Sequence, residues 1–545
     1  MPKGCVFADK GPSCFVGDDG KDCLLSLLAL SQSRAFQALI QLQLAAADAA
    51  ARSYEVGVIQ KTPVPEFGLD ALVLAEHARQ AWSIKRSLDT ATETSHAFWL
   101  PALLQGLGST LEQRAAGWNE KLAWGQRALE SIQTEIDDIA FRLYGISDED
   151  RRAMEQGTAL AASSEEGGDA EPDEADDDEG ETAGSDASTL VGQLLSWCVG
   201  VAFGRWDLRC ATGEREMTQE PDPFDPLPSR APGALESAEP VEWLLDDSGD
   251  HSRDLVTQVE EVLAALQGTS DWVGEACRIL GVRDLREWFR RKFFDLHLKA
   301  YSKSRRKAPL YWPLSVPSGR FAVWLYAPAI HKDSLWRVLQ EVAKPRLELE
   351  SRRYWDLKGE VGDAPSRDQV RELDERESLV RELQRFVADL EQAAPLWNPN
   401  LDDGTVLCAA VLHRLFQHNG WRKECETKWR DLEALKYPWA HISLHLWPER
   451  VLPLCHRDRS LAIAHDLEDE FWEQDKDENW KPRKLDDAAL QALSARFRSA
   501  TVGSALQSFG AARLDASGDS SPKIKATRGR KPKAVKPEQM GLGLE

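Results

Sequence analysis

The sequence predicts a mixed α+β protein, predominantly helical and multidomain, with an acidic disordered linker and a basic disordered C-terminal tail. Three observations carry that expectation. At 545 residues the chain is too long for one core. Apolar residues recur at helical spacing from Leu69 to Tyr144, whereas strand-like alternation is confined to short runs such as GRFAVWLY, 319 to 326. Residues 163 to 188 carry 12 carboxylates and no basic residue, which leaves too little apolar area to offset the entropy of ordering.

Taken in order, residues 1–67 read as an α/β segment. Its short β-type runs, CVFADKG and YEVGVIQKTPVP, flank the helical LLSLLALSQSRAFQALIQLQLAAA. Residues 68–150 read as helical and coiled-coil-like, with a seam at Trp118, Leu122, Gly125, Leu129, Ile132, Ile136, Ile139 and Leu143. The acidic linker occupies 151–188. Next comes VGQLLSWCVGVAF, 191 to 203, whose 13 residues fall short of the roughly 20 that cross a bilayer. It is expected to be a core helix, with Gly192, Gly200 and Ala202 allowing close packing, and no membrane segment is expected. A mixed α/β region spans 189–375 and includes the turn-rich PDPFDPLPSRAPGAL. A Trp-rich helical domain spans 376–500 and opens on the stripe Leu379, Leu383, Phe386, Leu390. The basic tail is 501–545. No internal repeat is present.

Charge is distributed unevenly. Removing the acidic segment takes the net charge from −23 to −11. Residues 286 to 307 hold nine Lys or Arg against two acids, and Lys523 to Lys536 hold seven against none. In the first stretch Trp288, Phe289, Phe293 and Phe294 interleave with Arg290, Arg291 and Lys292, and Lys303, Arg305, Arg306 and Lys307 follow. Such a pattern suits phosphate neutralisation with aromatic anchoring or base stacking; it also suits a solvated amphipathic helix. In the tail, ATRGRKPKAVKP resembles an AT-hook, in which Arg528-Gly529-Arg530 would enter a narrow minor groove. The proline that normally follows is Lys531 here, so general phosphate binding is the alternative. QMGLGL, Gln539 to Leu544, resembles the peptide that binds the bacterial sliding clamp. The 20 tryptophans, including Trp206, Trp288, Trp429, Trp447 and Trp472 beside charges, suit half-buried packing or stacking.

Other motifs assign no catalytic, cofactor or metal residue. Nine cysteines without a CxxC pair, and an N-terminus unlike a signal peptide, imply free thiols in a reducing cytoplasm. FVGDDG, 15 to 20, lacks the acid about 20 residues on that a nucleotide site needs. Ser95 and His96, adjacent on a chain, do not face each other as nucleophile and base. His441 and His445 have zinc-pair spacing but no HExxH glutamate, and Cys425 and Cys455 could complete a site only through folding. PDPFDP at 221 with DLK at 356 offers the scattered acids and lysine of a metal-dependent nuclease.

Several strings then occur in a telling order: WSIKRSLDTATETSHAFWLPALL, IQTEIDDIAFRLYGIS, LSWCVGVAFGRWDLR, PDPFDPLP, YWPLSVPSGRFAVWLY and WNPNLDDGTVLCAAVLHRLF. Together they resemble the C-terminal half of large adenine-specific DNA methyltransferases: the PglX-type enzymes of bacteriophage exclusion and the type IIG-like restriction–modification proteins. The resemblance implies double-stranded DNA as partner and S-adenosylmethionine as the methyl donor of the catalytic half. It also implies an Asn/Asp-Pro-Pro-Tyr/Phe loop that holds the flipped adenine. The nearest strings here, Asn398-Pro399-Asn400-Leu401 and Asp222-Pro223-Phe224-Asp225, lack the second proline and the final aromatic. The expected role is therefore target recognition beside a separately encoded catalytic half, with other proteins of the defence system as further partners. A non-enzymatic scaffold of such a system, or a cryptic nuclease at Asp222, is the alternative. In this reading FGRWD projects Arg205 and Trp206 from a helix end. Arg205 would contact phosphate, or pair with Asp207 and a core carboxylate.

Overall fold

A computed structural model describes residues 20–46, 56–154, 186–236, 242–246, 251–267, 270–303, 306–361, 366–497 and 499–518. The fold is mixed α+β and predominantly helical, with small antiparallel sheets. Its contacts divide the chain into two units, Met1–Leu390 with Asn398–Tyr437, and Glu391–Trp397 with Pro438–Glu545. Most of the acidic linker and the tail beyond 518 lie outside the described residues.

In the first unit the longest helix is Leu111–Leu143. Thr110 and Gln113 close a capping box at its start, each side chain satisfying a backbone N–H of the other. Of the expected seam, Trp118, Gly125, Ile132, Ile136 and Ile139 are buried. Ile132, Ile136 and Ile139 share a core with Leu25, Leu74 and Ala78 from the helices Lys21–Gln32 and Asp70–Asp89. At Gly125 a Cβ would meet Leu88 at 3.3 Å, so the small residue sets how closely the two long helices approach. The run YEVGVIQKTPVP is not a strand: Val56–Lys61 is helical. Ile59 packs beside Phe36, Ile40 and Phe141, and Tyr144 Oη donates to the Pro63 carbonyl at 2.7 Å. No neighbouring strand is there among the described residues to accept a ladder, so packing on helices decides the conformation.

The apolar stretch after the acidic linker is the helix Ala187–Ala202, started by Asp186, whose carboxylate accepts from Thr189 N at 2.8 Å. It packs against Leu111–Leu143, Leu255–Leu266 and Trp272–Leu280, which is why it is apolar around most of its circumference, Thr189 and Gln193 being its exposed polar positions. Leu190, Val191, Leu194, Leu195 and Trp197 are fully buried. Added Cβ atoms at Gly192 and Gly200 would lie 2.7 Å from Leu296 and 2.1 Å from Trp206, so the small residues do permit tight contact. No single described helix is long and apolar enough to cross a membrane; the bent pair Lys21–Gln32 and Arg34–Gln43, at 64°, passes the length and composition test only jointly.

One three-stranded antiparallel sheet organises the rest of this unit, in the order Trp243–Asp246, Phe321–Tyr326, Tyr311–Ser315. The strand expected within 319 to 326 is its centre. Tyr311 pairs with Tyr326, and Trp324 lies between Trp243 and Pro313. The first part of the Trp-rich block belongs to this unit: Trp421 and Trp429 are buried, Gln417 Nε2 donates to the Ser315 carbonyl at 3.0 Å, and His418 lies 2.7 Å from Asp295.

The second unit is built from short helices and the hairpin Trp472–Gln474/Trp480–Pro482. Trp472 donates to the Cys455 carbonyl at 3.0 Å, and the Arg459 guanidinium lies 4.0 Å over the Trp480 ring. Ala500–Gly518, the start of the expected tail, is helical, with Val502 and Phe509 buried; these two apolar residues give it a packed face that composition obscured.

Candidate functional site

The basic stretch after 286 folds so that its aromatic and cationic halves separate. Asp284 caps the turn Leu285–Trp288, and a π-helical turn follows at Phe289–Phe293. Trp288, Phe289, Phe293 and Phe294 are all buried, the last three packing around Trp324 or one another. They form core and are not platforms for bases. Arg290, Arg291 and Lys292, between the two aromatic pairs, are exposed together. Arg291 pairs with Glu287 at 2.9 Å. The stem of Arg290 packs on the Gly319 turn, where φ is +69° and a Cβ would come within 2.9 Å of Arg290 Cγ. Further along, the two-residue strands Ser302–Lys303 and Arg306–Lys307 pair antiparallel, with Lys303 and Arg306 exposed and Lys307 held 3.3 Å from Glu424. Arg305 lies outside the described residues, as do Arg528, Arg530, Lys531 and Gln539 to Leu544. Arg286, first of the nine cations, is structural: it grips the buried Asp254 carboxylate through two hydrogen bonds of 2.7 and 2.8 Å.

Arg205 and Trp206 take a different place. The segment FGRWD leaves its helix at Gly204, φ +70°, and pairs with residues 233 to 235: Leu235 N donates to Arg205 O, and Asp207 N to Gly233 O, both at 3.0 Å. Trp206 is buried, with Phe98 at 4.5 Å on its ring and the Arg205 guanidinium at 4.2 Å over it. Arg205 Nη1 donates to Glu93 Oε1 at 2.7 Å and to the Tyr301 hydroxyl, which itself donates to Glu93 at 2.8 Å. Ser196 Oγ donates to the other Glu93 oxygen at 2.8 Å. Burial is the largest single influence on Arg205 and disfavours its charge, but Glu93, Tyr311 and Tyr301 together outweigh it and raise the guanidinium pKa above its ordinary value. Burial likewise raises the Tyr301 hydroxyl. Arg205 thus pairs with a core carboxylate, Glu93, as one of the two expectations had it, but Asp207, also expected in that pairing, is engaged elsewhere. Asp207 instead binds Arg209 at 2.8 Å and Arg215 at 3.0 Å, and the hydrogen bonds from Arg209 foremost hold it down to about 2.

This network forms one wall of an open cleft of about 830 Å³, bounded by residues 93 to 96, 203 to 206, 229 to 231, 234 to 236, Tyr301, Tyr326, Pro328 and Ala329. Phe203, Tyr311 and Tyr326 form a ring cluster with centroids 4.9 to 5.8 Å apart. Phe203 and Tyr311 are buried, and Tyr326 is half-buried at the cleft. Beneath them His297 is fully buried; its Nε2 accepts from Leu310 N at 2.8 Å and Tyr311 N at 3.1 Å. Burial, aided by Arg205, pushes its pKa down to about 3.

FVGDDG lies, but for Gly20, outside the described residues, and the remaining described motifs make contacts of structural kind. Asp222 lies 3.4 Å from Lys21 and 3.5 Å from Arg79 and accepts from Phe224 N at 3.0 Å, so PDPFDP is a turn pinned to two helices. Lys358 of DLK lies 4.9 Å over the Trp355 ring. Ser95 Oγ accepts from Ala97 N at 3.1 Å. His441 faces His465 with ring centroids 5.9 Å apart, and burial lowers His445. Among the described residues no group of three or more His, Cys, Asp or Glu could hold a metal ion.

Sequence reasoning missed Glu93, Tyr301, Tyr326 and Arg230. Glu93 sits two residues before the Ser95-His96 pair, yet 112 residues from the arginine it neutralises, a distance no local pattern spans. The chain matches no protein-family model, and no curated protein matches it.

Proposed function

We propose that this chain is a cytoplasmic DNA-recognition subunit: the target-recognition half of a site-specific adenine DNA methyltransferase in a bacteriophage-exclusion or restriction–modification system. It would direct methylation by a separately encoded catalytic half, which would hold S-adenosylmethionine. The observation that carries the reading is the segregation within 288 to 307, where Trp288, Phe289, Phe293 and Phe294 are buried and Arg290, Arg291, Lys292, Lys303 and Arg306 are exposed. Exposed cations on an aromatic-anchored segment suit contact with phosphates of a duplex. The order of the strings that resemble that family adds support, and three of them, FGRWD, ETSHAFW and YWPLSVPSGRFAVWLY, meet at the Arg205 network. Arg205 and Trp206 serve that framework rather than the DNA-facing set.

A scaffold role is favoured by a different observation. Leu28, Leu69, Leu72 and Val73, on the packed helices Lys21–Gln32 and Asp70–Asp89 or immediately before the second, are exposed. Such side chains suit a protein partner, which the catalytic half would also provide. Mixing the chain with that half, labelled S-adenosylmethionine and DNA separates the readings. Methyl transfer that requires this chain supports recognition; binding of the half without any DNA affinity supports the scaffold.

A further inference from the structure

The cleft beside Arg205 has no part in the phosphate-facing surface, and its construction asks for a ligand. At about 830 Å³ it falls within the range of about 300–1,000 Å³ typical of small-molecule sites. Its inner wall is a charged pair that folding alone does not require, because a buried ion pair is on average no better for stability than apolar packing. Here the pair is held rigidly: Glu93 takes hydrogen bonds from Arg205, Tyr301 and Ser196 at once. It borders an open space and not a sealed core.

The groups around that space define the ligand. Tyr326 is the half-buried member of the Phe203–Tyr311–Tyr326 cluster, so an aromatic ring entering the cleft would extend a stack already begun. Trp206 is not available for this, since Phe98 and Arg205 cover its ring. At the inner wall the Arg205–Glu93 pair carries no net charge, so the polar groups there suit a neutral hydrogen-bonding edge such as that of a base. At the rim Arg230, exposed and steadied by donation to the Leu235 and Glu236 carbonyls, suits a phosphate, with the exposed His96 also lining the cleft. We infer that the cleft binds one nucleotide unit, its base stacked on Tyr326 against the Arg205–Glu93–Tyr301 wall and its phosphate at Arg230. The unit is either a free mononucleotide or a nucleotide displaced from DNA; the second source rests on the DNA-recognition reading, the first does not.

The test uses the full chain, the four deoxynucleoside monophosphates and the corresponding nucleosides, followed by saturation-transfer NMR and calorimetry. Saturable binding is expected, with transfer strongest to the base protons. Tyr326→Ala should weaken every ligand about tenfold, the loss expected of one base stack. Arg230→Ala, at an exposed site where folding is not at stake, should weaken nucleotides severalfold and leave nucleosides unchanged. Competition with a duplex carrying one unpaired nucleotide would identify the source as DNA; binding without competition would identify a free mononucleotide. No saturable binding at millimolar concentration, or binding indifferent to both substitutions, overturns the inference. If duplex DNA still binds in that case, the DNA-recognition reading survives alone; nucleotide binding without duplex affinity would remove that reading and keep the cleft.

Discussion

Replacing Glu93 by Gln leaves the guanidinium of Arg205 in place and removes its counter-charge. The two side chains are only 15% and 16% exposed and meet at 2.7 Å. With charge centres roughly 4 Å apart, the gross attraction at an effective dielectric constant near 20 is about 4 kcal/mol. A glutamine can still accept from Ser196 or Tyr301, so part of the network persists. Breaking a buried pair on one side costs about 3–5 kcal/mol; the residual exposure places this one near 3. Because the chain holds two units, a single unfolding midpoint would mix them. Amide hydrogen exchange across the Ala187–Ala202 helix, which carries Ser196 and leads into Arg205, reads the local free energy instead. Protection there should fall by about two orders of magnitude in Glu93→Gln. The double variant Glu93→Leu with Arg205→Met should lose clearly less than the two single losses added, with a coupling of about 2 kcal/mol. A Glu93→Gln loss under about 1 kcal/mol, or strict additivity, would refute the claim that this pair locks the region.

Two glycines offer a matched contrast. Gly200→Ala drives a Cβ to 2.1 Å from Trp206 and should cost about 1–3 kcal/mol, whereas Gly359→Ala, with nothing within 4 Å in the Lys344–Glu360 helix, should gain about 0.5–1 kcal/mol. Equal effects on local exchange would remove the packing argument. His297 predicts a pH dependence. Folding lowers its pKa from 6.5 to about 3, so between those values the unfolded chain binds a proton that the folded chain does not. Stability of the first unit should therefore be unaffected by this group above pH 6.5 and fall as pH drops below it, by up to about 1.4 kcal/mol per pH unit. His297→Gln, which keeps an acceptor for Leu310 and Tyr311, should flatten that limb; an unchanged limb would show another group responsible. Asp207, held at about 2, acts at lower pH. Its contribution, about 1–2 kcal/mol after solvent screening, is present above the ordinary carboxylate range and lost as pH falls from about 4 to 2. Asp207→Asn should remove that loss in acid unfolding curves.

What the sequence made legible follows the reach of each signal. The Leu111–Leu143 seam and the 321–326 strand were readable because their periodicities are local and long enough to stand out. The Ala187–Ala202 helix was readable as core because its apolar run is too short for a bilayer. YEVGVIQKTPVP was not, since β-branched residues favour a strand only where a partner strand exists, and here helices surround it. The aromatic residues of 288 to 294 left two readings open, core or stacking platform. Only the fold, by seating them under Trp324, chose the core and left the cations outside. The Arg205 site was half legible: the arginine stood out beside its tryptophan, but Glu93, Tyr301 and Tyr326 arrive from separate segments, each unremarkable by itself.

The most direct measure of the account is the salt dependence of duplex DNA binding by the full chain and by the triple variant Arg290→Ala/Arg291→Ala/Lys292→Ala. Each lost phosphate contact should lower the slope of log affinity against log salt by about 0.9, so the variant should lose roughly two to three units of slope while keeping native exchange protection in its core. A native chain without salt-sensitive duplex affinity, or a variant with the same slope as the parent, would contradict it.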